Sequence, residues 1–322
     1  MAAISVIVAT CDRPARLGQA LRHIVAAAAA VGGAPIVVAD NGLEPAAAAA
    51  EAAGAGAIRY LRTAPRNKPR ALNAAIAAAE TDWLAFTDDD TLPDAEWLKA
   101  GQAFAARGLC RVFGGRIEAG PPPEALPAWM RPDAQGEYPG HGVFVRYRPL
   151  RESGLLRPQD PVPYGANFFA RREVFREHGG YDERLWACCG RAALGAEDGE
   201  LGQRLRRRGE PIGYCRETLV VHPVHAERCR WGAQLRLAFY YGWRDPLVEF
   251  DPHRPLLEGY RLRQLGRWTA RALWRRCRGA EAAAFADALK AARAAGALLC
   301  RGSRAYRRRA AQMRRAEETG GT

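Results

Sequence analysis

The stretch Trp83-Leu84-Ala85-Phe86-Thr87-Asp88-Asp89-Asp90 decides the fold of this 322-residue chain. A short apolar run leads straight into three aspartates. Such an ending is locally unfavourable, because like charges repel and aspartate is a poor strand residue. A hard divalent cation would remove the conflict, since it takes carboxylate oxygens as ligands. In an open α/β sheet, the C-terminal ends of the strands are also where ligands bind. The same triplet reads alternatively as a solvated turn whose first aspartate caps the next helix. The surrounding sequence separates the two readings.

Upstream, the β-rich run Ile4–Ala9 precedes a turn at Asp12-Arg13-Pro14 and a helix over Ala15–Ala30. A second buried strand, Pro35–Ala39, ends in Asp40-Asn41-Gly42. An alanine-rich helix (Ala46–Ala53) and a short strand (Ile58–Leu61) follow. Arg66–Asn73 reads as a basic loop leading into a helix over Ala71–Ala79. Strands alternating with helices predict an α/β fold, with a Rossmann-like, mostly parallel central sheet flanked by helices.

Downstream the rhythm changes. Cys110–Ile117 reads as a strand with Gly114-Gly115 at a bend or bulge. Residues 120–163 are rich in Pro and Gly, contain Trp129, Tyr138 and His141, and read as a long irregular insertion. Val162–Ala170 reads as a strand, Arg171–His178 and Glu197–Arg208 as helices, and Ile212–Val221 as a last strand. The Gly- and Ala-rich residues 187–196 are expected to be mobile. The linear division is a catalytic domain over 1–229 and a basic helical C-terminal region over 230–322.

Hydrophobic residues make up 48% of the chain, so a sizeable core is expected. No stretch reaches the ~18 uncharged apolar residues of a membrane span, and the N-terminus lacks signal-peptide features. A cytoplasmic location is the expectation, with peripheral attachment to the inner face of the cell membrane open. The eight cysteines contain no CxxC pair, which excludes a zinc framework and fits buried, reduced thiols. The net charge of +13 is uneven. Residues 1–225 carry 27 Lys and Arg against 26 Asp and Glu, whereas residues 226–322 carry 21 against 9. Arg261–Arg278 mixes leucines and tryptophans with arginines, a pattern that suits either a helical cap or an anionic membrane surface. No recognition motif accompanies the charge, so nucleic acid is not expected. Helical spacing of Phe285, Leu289, Ala292, Gly296 and Leu299 predicts a further packed helix.

Parallel topology gathers Asp12, Asp40 and the aspartate triplet at one sheet edge. A sugar nucleotide fits this layout. Asp40 would accept from a uracil-type base, Asp88 would hold ribose hydroxyls, and Asp90 a metal bridging the phosphates. Arg66, Lys68 and Arg70 would supply positive charge for the pyrophosphate. A nucleotidyltransferase is disfavoured, because no Gly-rich phosphate loop follows the first strand.

Taken together, SVIVATCDRPARLGQAL (5–21), VVADNG (37–42), KPRALNAAIAAAETDWLAFTDDDTLPDAEWL (68–98), VFGGRI (112–117), GANFFARREVFREHGGYDERL (165–185) and GAEDGELGQRLRRRG (195–209) resemble family 2 glycosyltransferases with the GT-A fold. The resemblance covers about two-thirds of the chain. It implies a nucleotide-diphosphate sugar donor, UDP foremost, a divalent cation (Mn²⁺ or Mg²⁺), and transfer with inversion to a hydroxyl. It places Thr10, Asp12, Arg13, Asp40, Lys68 and Asn73 around the nucleotide and Asn167 beside the donor sugar. Asp88 and Asp90 match the outer acids of the DxD motif, with Asp90 the direct metal ligand. Asp89 is grouped with the nucleotide-sugar residues without a separate role, and is expected to be the most tolerant of the three. His222 matches a histidine that completes the metal or phosphate site. Glu197-Asp198 match the ED pair, with Asp198 the general base and Glu197 the competing candidate. The implied acceptor is a glycan or lipid-linked molecule of bacterial envelope or extracellular polysaccharide assembly. Glycosylation of a small metabolite or protein is the alternative, as is a degenerate domain that binds nucleotide without transfer. Cys11 stands where the family usually has an aromatic residue. Pro69 stiffens a loop that often bears glycine.

Overall fold

A computed structural model of the chain describes residues 3–54, 58–121, 126–131, 145–185, 196–248 and 258–318. Residues 187–195, expected to be mobile, lie outside these, as do Tyr138, His141 and much else of the 120–163 insertion. The chain divides into two compact units. One comprises Met1–Gly120, Val145–Glu183 and Glu197–Pro223; the other comprises Pro121–Phe144, Arg184–Ala196 and Val224–Thr322. The linear reading had instead placed everything up to residue 229 in one domain.

The first unit is a central sheet with helices on both faces. Its strands are β1 (Ile4–Thr10), β2 (Ile36–Asp40), β3 (Ile58–Arg62), β4 (Trp83–Asp88), β5 (Leu92–Pro93), β6 (Val112–Ala119), β7 (Gly154–Leu155), β8 (Phe168–Arg171) and β9 (Ile212–His222). Its helices are α1 (Pro14–Ala29), α2 (Ala47–Gly54), α3 (Lys68–Ala78), α4 (Trp97–Ala106), α5 (Arg172–His178) and α6 (Glu197–Arg207). The strand order is β3-β2-β1-β4-β8-β6-β9-β5, with β7 paired to β9. Strands β3, β2, β1 and β4 are mutually parallel. β8 runs antiparallel to both β4 and β6, while β6 and β9 pair in parallel.

The strands read as continuous apolar runs because both faces are covered. Side chains alternate across a strand, so each strand feeds two cores. Ile4, Val6, Val8, Trp83 and Ala85 pack with Leu17, Leu21 and Ile24 of α1. Ile7, Ala9, Leu84 and Phe86 pack on the other face with Ala71, Leu72 and Ala75 of α3. Burial of each large aliphatic chain contributes about 1.5–3 kcal/mol relative to exposure.

Two sequence expectations shift, and a third holds. Helix α3 starts at Lys68 rather than Ala71, because the Asn67 side chain accepts from the Arg70 amide and Pro69 lies in the first turn. The strand expected over Val162–Ala170 begins only at Phe168, after a 3₁₀ turn at Gly165–Asn167. The Gly114-Gly115 irregularity is present as a register shift between Gly115 and Arg116.

Among the described residues the second unit holds 3₁₀ turns at Ala128–Met130 and Ala226–Arg228 and the helices α7 (Trp231–Val248), α8 (Glu258–Cys277), α9 (Glu281–Arg301) and α10 (Arg304–Glu318). Trp129, Trp231 and Phe285 form an aromatic cluster with ring centroids 4.3–5.3 Å apart. Phe285 and Leu289 are buried as the spacing predicts, whereas Leu299 is 59% exposed. Helices α7 and α9 cross at backbone distance. A Cβ at Gly296 would overlap the Phe239 carbonyl, and one at Gly242 would overlap the Arg293 carbonyl. Neither obstacle is a flexible side chain. Gly296→Ala is therefore expected to lower stability by about 1–3 kcal/mol, the range for overpacking, despite alanine's better helix propensity. Urea unfolding followed by tryptophan fluorescence measures this.

Candidate active site

Strand register brings the acids together. Thr10 pairs with Asp40, Ala9 with Asp88, and Asp40 with Arg62. The C-terminal ends of β1, β2, β3 and β4 thus share one edge of the sheet.

Lys68, in the first turn of α3, lies between two acids there. Its Nζ is 2.9 Å from Asp88 Oδ1 and 3.0 Å from Glu197 Oε1. Burial alone would lower the Lys68 pKa, but Asp88, Glu197 and Asp198 drive it well above its ordinary value. Burial pushes Asp88 up, and Lys68 more than offsets this, holding the carboxyl below its usual range. A cation at a helix N-terminus opposes the helix dipole, so these two acids are what make its position tenable.

Arg13 bridges the other two aspartates. Its Nη2 lies 3.0 Å from Asp89 Oδ1 and its Nη1 3.0 Å from Asp90 Oδ2. Arg16 approaches Asp90 at 3.8 Å. The Thr10 hydroxyl donates to Asp89 Oδ2 at 2.7 Å. Asp89 points inward and is 1% exposed. Burial pushes it up to about 6, with Arg13 opposing. The expectation that Asp89 is the tolerant member of the triplet is therefore wrong. It is the most buried of the three, and it anchors Arg13. Thr10 is likewise committed to Asp89 and turned away from any nucleotide.

Asp198 is differently placed. Burial first, and the Glu197 charge second, raise its pKa to about 7, while Lys68 and a hydrogen bond from the Gly165 amide oppose. Its Oδ1 has no hydrogen-bond partner among the described residues. A Cβ at Gly165 would sit 2.5 Å from that oxygen, so glycine is required for the turn to approach the carboxylate.

His222 ends β9 with Nδ1 3.1 Å from the Pro223 carbonyl. Donation from Nδ1 would put the lone pair on Nε2, which lies 3.9 Å from Asp90 Oδ1. That gap is too long for a hydrogen bond and short enough for a shared partner. Among the described residues no cluster of three or more His, Cys, Asp or Glu forms a metal cage. A Mg²⁺-like ion takes one or two carboxylates and completes its shell from substrate phosphates and water, which is the part Asp90 can supply. The residues fit a cation that arrives with a diphosphate.

Four predicted binding residues are engaged elsewhere. Asp40 is fully buried. It accepts from the Gly42 and Ala46 amides (2.7 and 2.8 Å), the Tyr60 hydroxyl (2.5 Å) and Arg62 (3.0 Å). Burial would raise its pKa, but these donors hold it below the ordinary range. A carboxylate has about four acceptor sites, and all are used, so it holds the 40–46 turn and Arg62. Asn73 donates to the Tyr181 carbonyl and Glu183 and accepts from the Tyr181 amide. It clamps the 181–183 segment. Asn167 accepts from the Trp97 indole and donates to the Arg116 and Thr218 carbonyls, which places it as a strut across the β6 bulge. Asp12, at φ 54°, accepts from the Leu43 and Glu44 amides at 2.6 and 3.2 Å and shapes the same rim. Sequence reasoning missed Tyr60 and Arg62. Register could have found Arg62, since it pairs directly with Asp40.

Comparison with known proteins bears on the fold and the family. Two curated sequences, the pre-mycofactocin glycosyltransferases of Mycobacterium tuberculosis strains CDC 1551 / Oshkosh and ATCC 25618 / H37Rv, are 28% identical over 194 residues, which is 57% of this chain and 35% of theirs. The chain thus spans about a third of the length of the curated relatives it matches. Among solved structures, TarS of S. aureus superposes with a TM-score of 0.50 at 13% identity, over 84% of this chain and 48% of that one. The likeness is one of fold, the GT-A arrangement of a central sheet flanked by helices. Residues 5–179 match the family described as Glycosyl transferase family 2, and on that match, which spans more than half of its length, the chain belongs to glycosyl transferase family 2.

Proposed function

We propose that the chain transfers a glycosyl unit from a nucleotide-diphosphate sugar, a UDP-sugar foremost, to an acceptor hydroxyl with inversion at the anomeric carbon. The observation that carries this reading is the Asp198 carboxylate, raised to about 7 by burial and the Glu197 charge, whose buried Oδ1 has no hydrogen-bond partner among the described residues. An inverting transfer needs one base for the attacking hydroxyl, and a base is most effective with its pKa near the working pH. Glu197 is held by Lys68, so it sets the field around Asp198 rather than taking the proton. Gly165, lacking a Cβ, lets the 165–167 turn pack directly against the Asp198 carboxylate.

Asp90 and His222 would hold a divalent cation. That ion, when bound, supplies Lewis-acid stabilisation of the departing diphosphate. Arg13, anchored on Asp89, adds a planar donor suited to phosphate oxygens. Lys68 offers a second positive charge beside Asp88. The Asp40–Arg62 pair and Asp12 shape the turn over residues 40–46, where a base would rest. The acceptor we favour is a glycan or lipid-linked hydroxyl of bacterial envelope or extracellular polysaccharide assembly. A thermal-shift panel of UDP-, GDP-, CDP- and dTDP-sugars, with and without Mn²⁺, tests the reading. Metal-dependent stabilisation by one donor is expected from binding linkage, and no response to any donor would sink it.

Asp198→Asn should keep donor affinity and lose turnover by at least ~10²-fold, the scale of general-base catalysis. The sign of the pH dependence follows from the base having to be ionised. kcat/KM should rise with pH through an apparent value near 7 that belongs to the Asp88–Lys68–Glu197–Asp198 cluster. Lys68→Gln removes a charge that lowers Asp198, so it should move this acid limb upward; initial rates across pH read the shift. Asp90→Ala should abolish the Mn²⁺-dependent part of the donor thermal shift and leave the metal-free part. Asp89→Ala should lower Tm as well as activity, because it removes one of the two carboxylates that hold Arg13 and leaves the Thr10 hydroxyl without its acceptor. Thermal unfolding without ligand separates it from Asp90→Ala.

A further inference from the structure

Helix α8 in the second unit combines dense positive charge with exposed apolar side chains. Residues 258–277 contain six arginines and one acidic residue, Glu258. One face is committed to α9, where Arg275 and Arg271 lie 3.0 and 3.5 Å from the buried Asp287. The side turned away from α9 carries Leu262, Leu273 and Trp274, which are 56–62% exposed. Leu262, Gly266, Ala270, Leu273 and Cys277 are spaced by three or four residues and share one stripe. Exposed Arg263 and Arg267 flank it, and the Arg278 guanidinium stacks 4.4 Å from the Trp274 ring centre.

We propose that α8 lies in the plane of an anionic lipid surface, with Leu262, Leu273 and Trp274 entering the acyl boundary and Arg263, Arg267 and Arg278 at the phosphate headgroups. This goes beyond the catalytic reading and does not depend on it. Among the described residues no helix is long and apolar enough to cross a membrane, so the surface-parallel mode of a basic amphipathic helix applies. Charge complementarity selects the occupant. A second copy of the same face would set arginines against arginines. Nucleic acid would satisfy the arginines and leave Leu262 and Leu273 in water. An anionic bilayer matches both the charge and the apolar stripe.

The test is co-sedimentation of the full chain with vesicles of phosphatidylcholine alone or mixed with phosphatidylglycerol, at low and physiological salt. The chain should pellet with phosphatidylglycerol only, and less so as salt rises. Each arginine at such a surface is worth about fivefold in partition, so R263Q/R267Q should weaken binding by at least about tenfold. L262S/L273S/W274S should abolish the salt-resistant remainder. Unchanged far-UV circular dichroism and Tm are expected, since these side chains are exposed. The proposal fails if the chain ignores phosphatidylglycerol vesicles, or if the triple-serine variant pellets like the parent. It also fails if light scattering shows a dimer that the serine substitutions dissolve, or if RNA rather than vesicles retains the chain in an arginine-dependent way.

Discussion

The structure of the catalytic edge depends on charge compensation. Asp40, Asp88, Asp89, Asp90, Glu197 and Asp198 converge where four strands and one helix meet, and most are buried. Unpaired ionised carboxylates in such a place would cost several kcal/mol each. Three cations distribute themselves among them. Arg62 takes Asp40, Arg13 takes Asp89 and Asp90, and Lys68 takes Asp88 and Glu197. Asp198 is left without an ion pair among these three, and its pKa is raised to about 7. The same accounting that stabilises the edge therefore singles out the carboxylate that the proposed reaction uses as its proton acceptor. A raised carboxylate is what remains when every neighbouring cation is bound elsewhere.

This compensation relies on backbone geometry more than on side-chain reach. The parallel register of β1 with β2 and β4 fixes Thr10, Asp40 and Asp88 at one level. The Asn67 cap starts α3 early enough to bring Lys68 to that level. Asn167 ties Trp97 to the irregular β6–β9 pairing, which fixes the Gly165–Asn167 turn that presents the Gly165 amide to Asp198. A slip in any of these would separate a cation from its acids.

Most of the parallel half-sheet was legible, because strands covered on both faces give unbroken apolar runs. The Asp88–Asp90 cluster and the Glu197-Asp198 pair were legible too, since acids at the ends of such runs conflict with local propensity. What could not be read was the direction each polar side chain takes. Asp88, Asp89 and Asp90 are identical in sequence terms, yet the turn after β4 sends the middle one inward to Thr10. Asn73, Asn167 and Asp40 resemble ligand-binding residues by type. Their donors and acceptors are consumed by Tyr181, Trp97 and Tyr60, partners 20 to 108 residues distant. The two-residue strands β5 and β7 carry no periodicity, and pairing with β9 alone defines them.

Saturation of hydrogen-bond capacity separates the two kinds of carboxylate at this edge. Asp40 accepts from four donors and has no remaining capacity for a nucleotide without losing one of them. Replacing such a donor by a ligand group would gain little, because a bond made is offset by a bond broken. Asp198 Oδ1 has no such partner among the described residues, so a proton donor brought to it would gain a bond without breaking one. Asp90 is intermediate, with one oxygen on Arg13 and the other facing His222 Nε2. On this argument the acids divide by the bonds they have left rather than by their position in a motif. Asp40 and Asp89 hold the scaffold, while Asp90 and Asp198 face the chemistry.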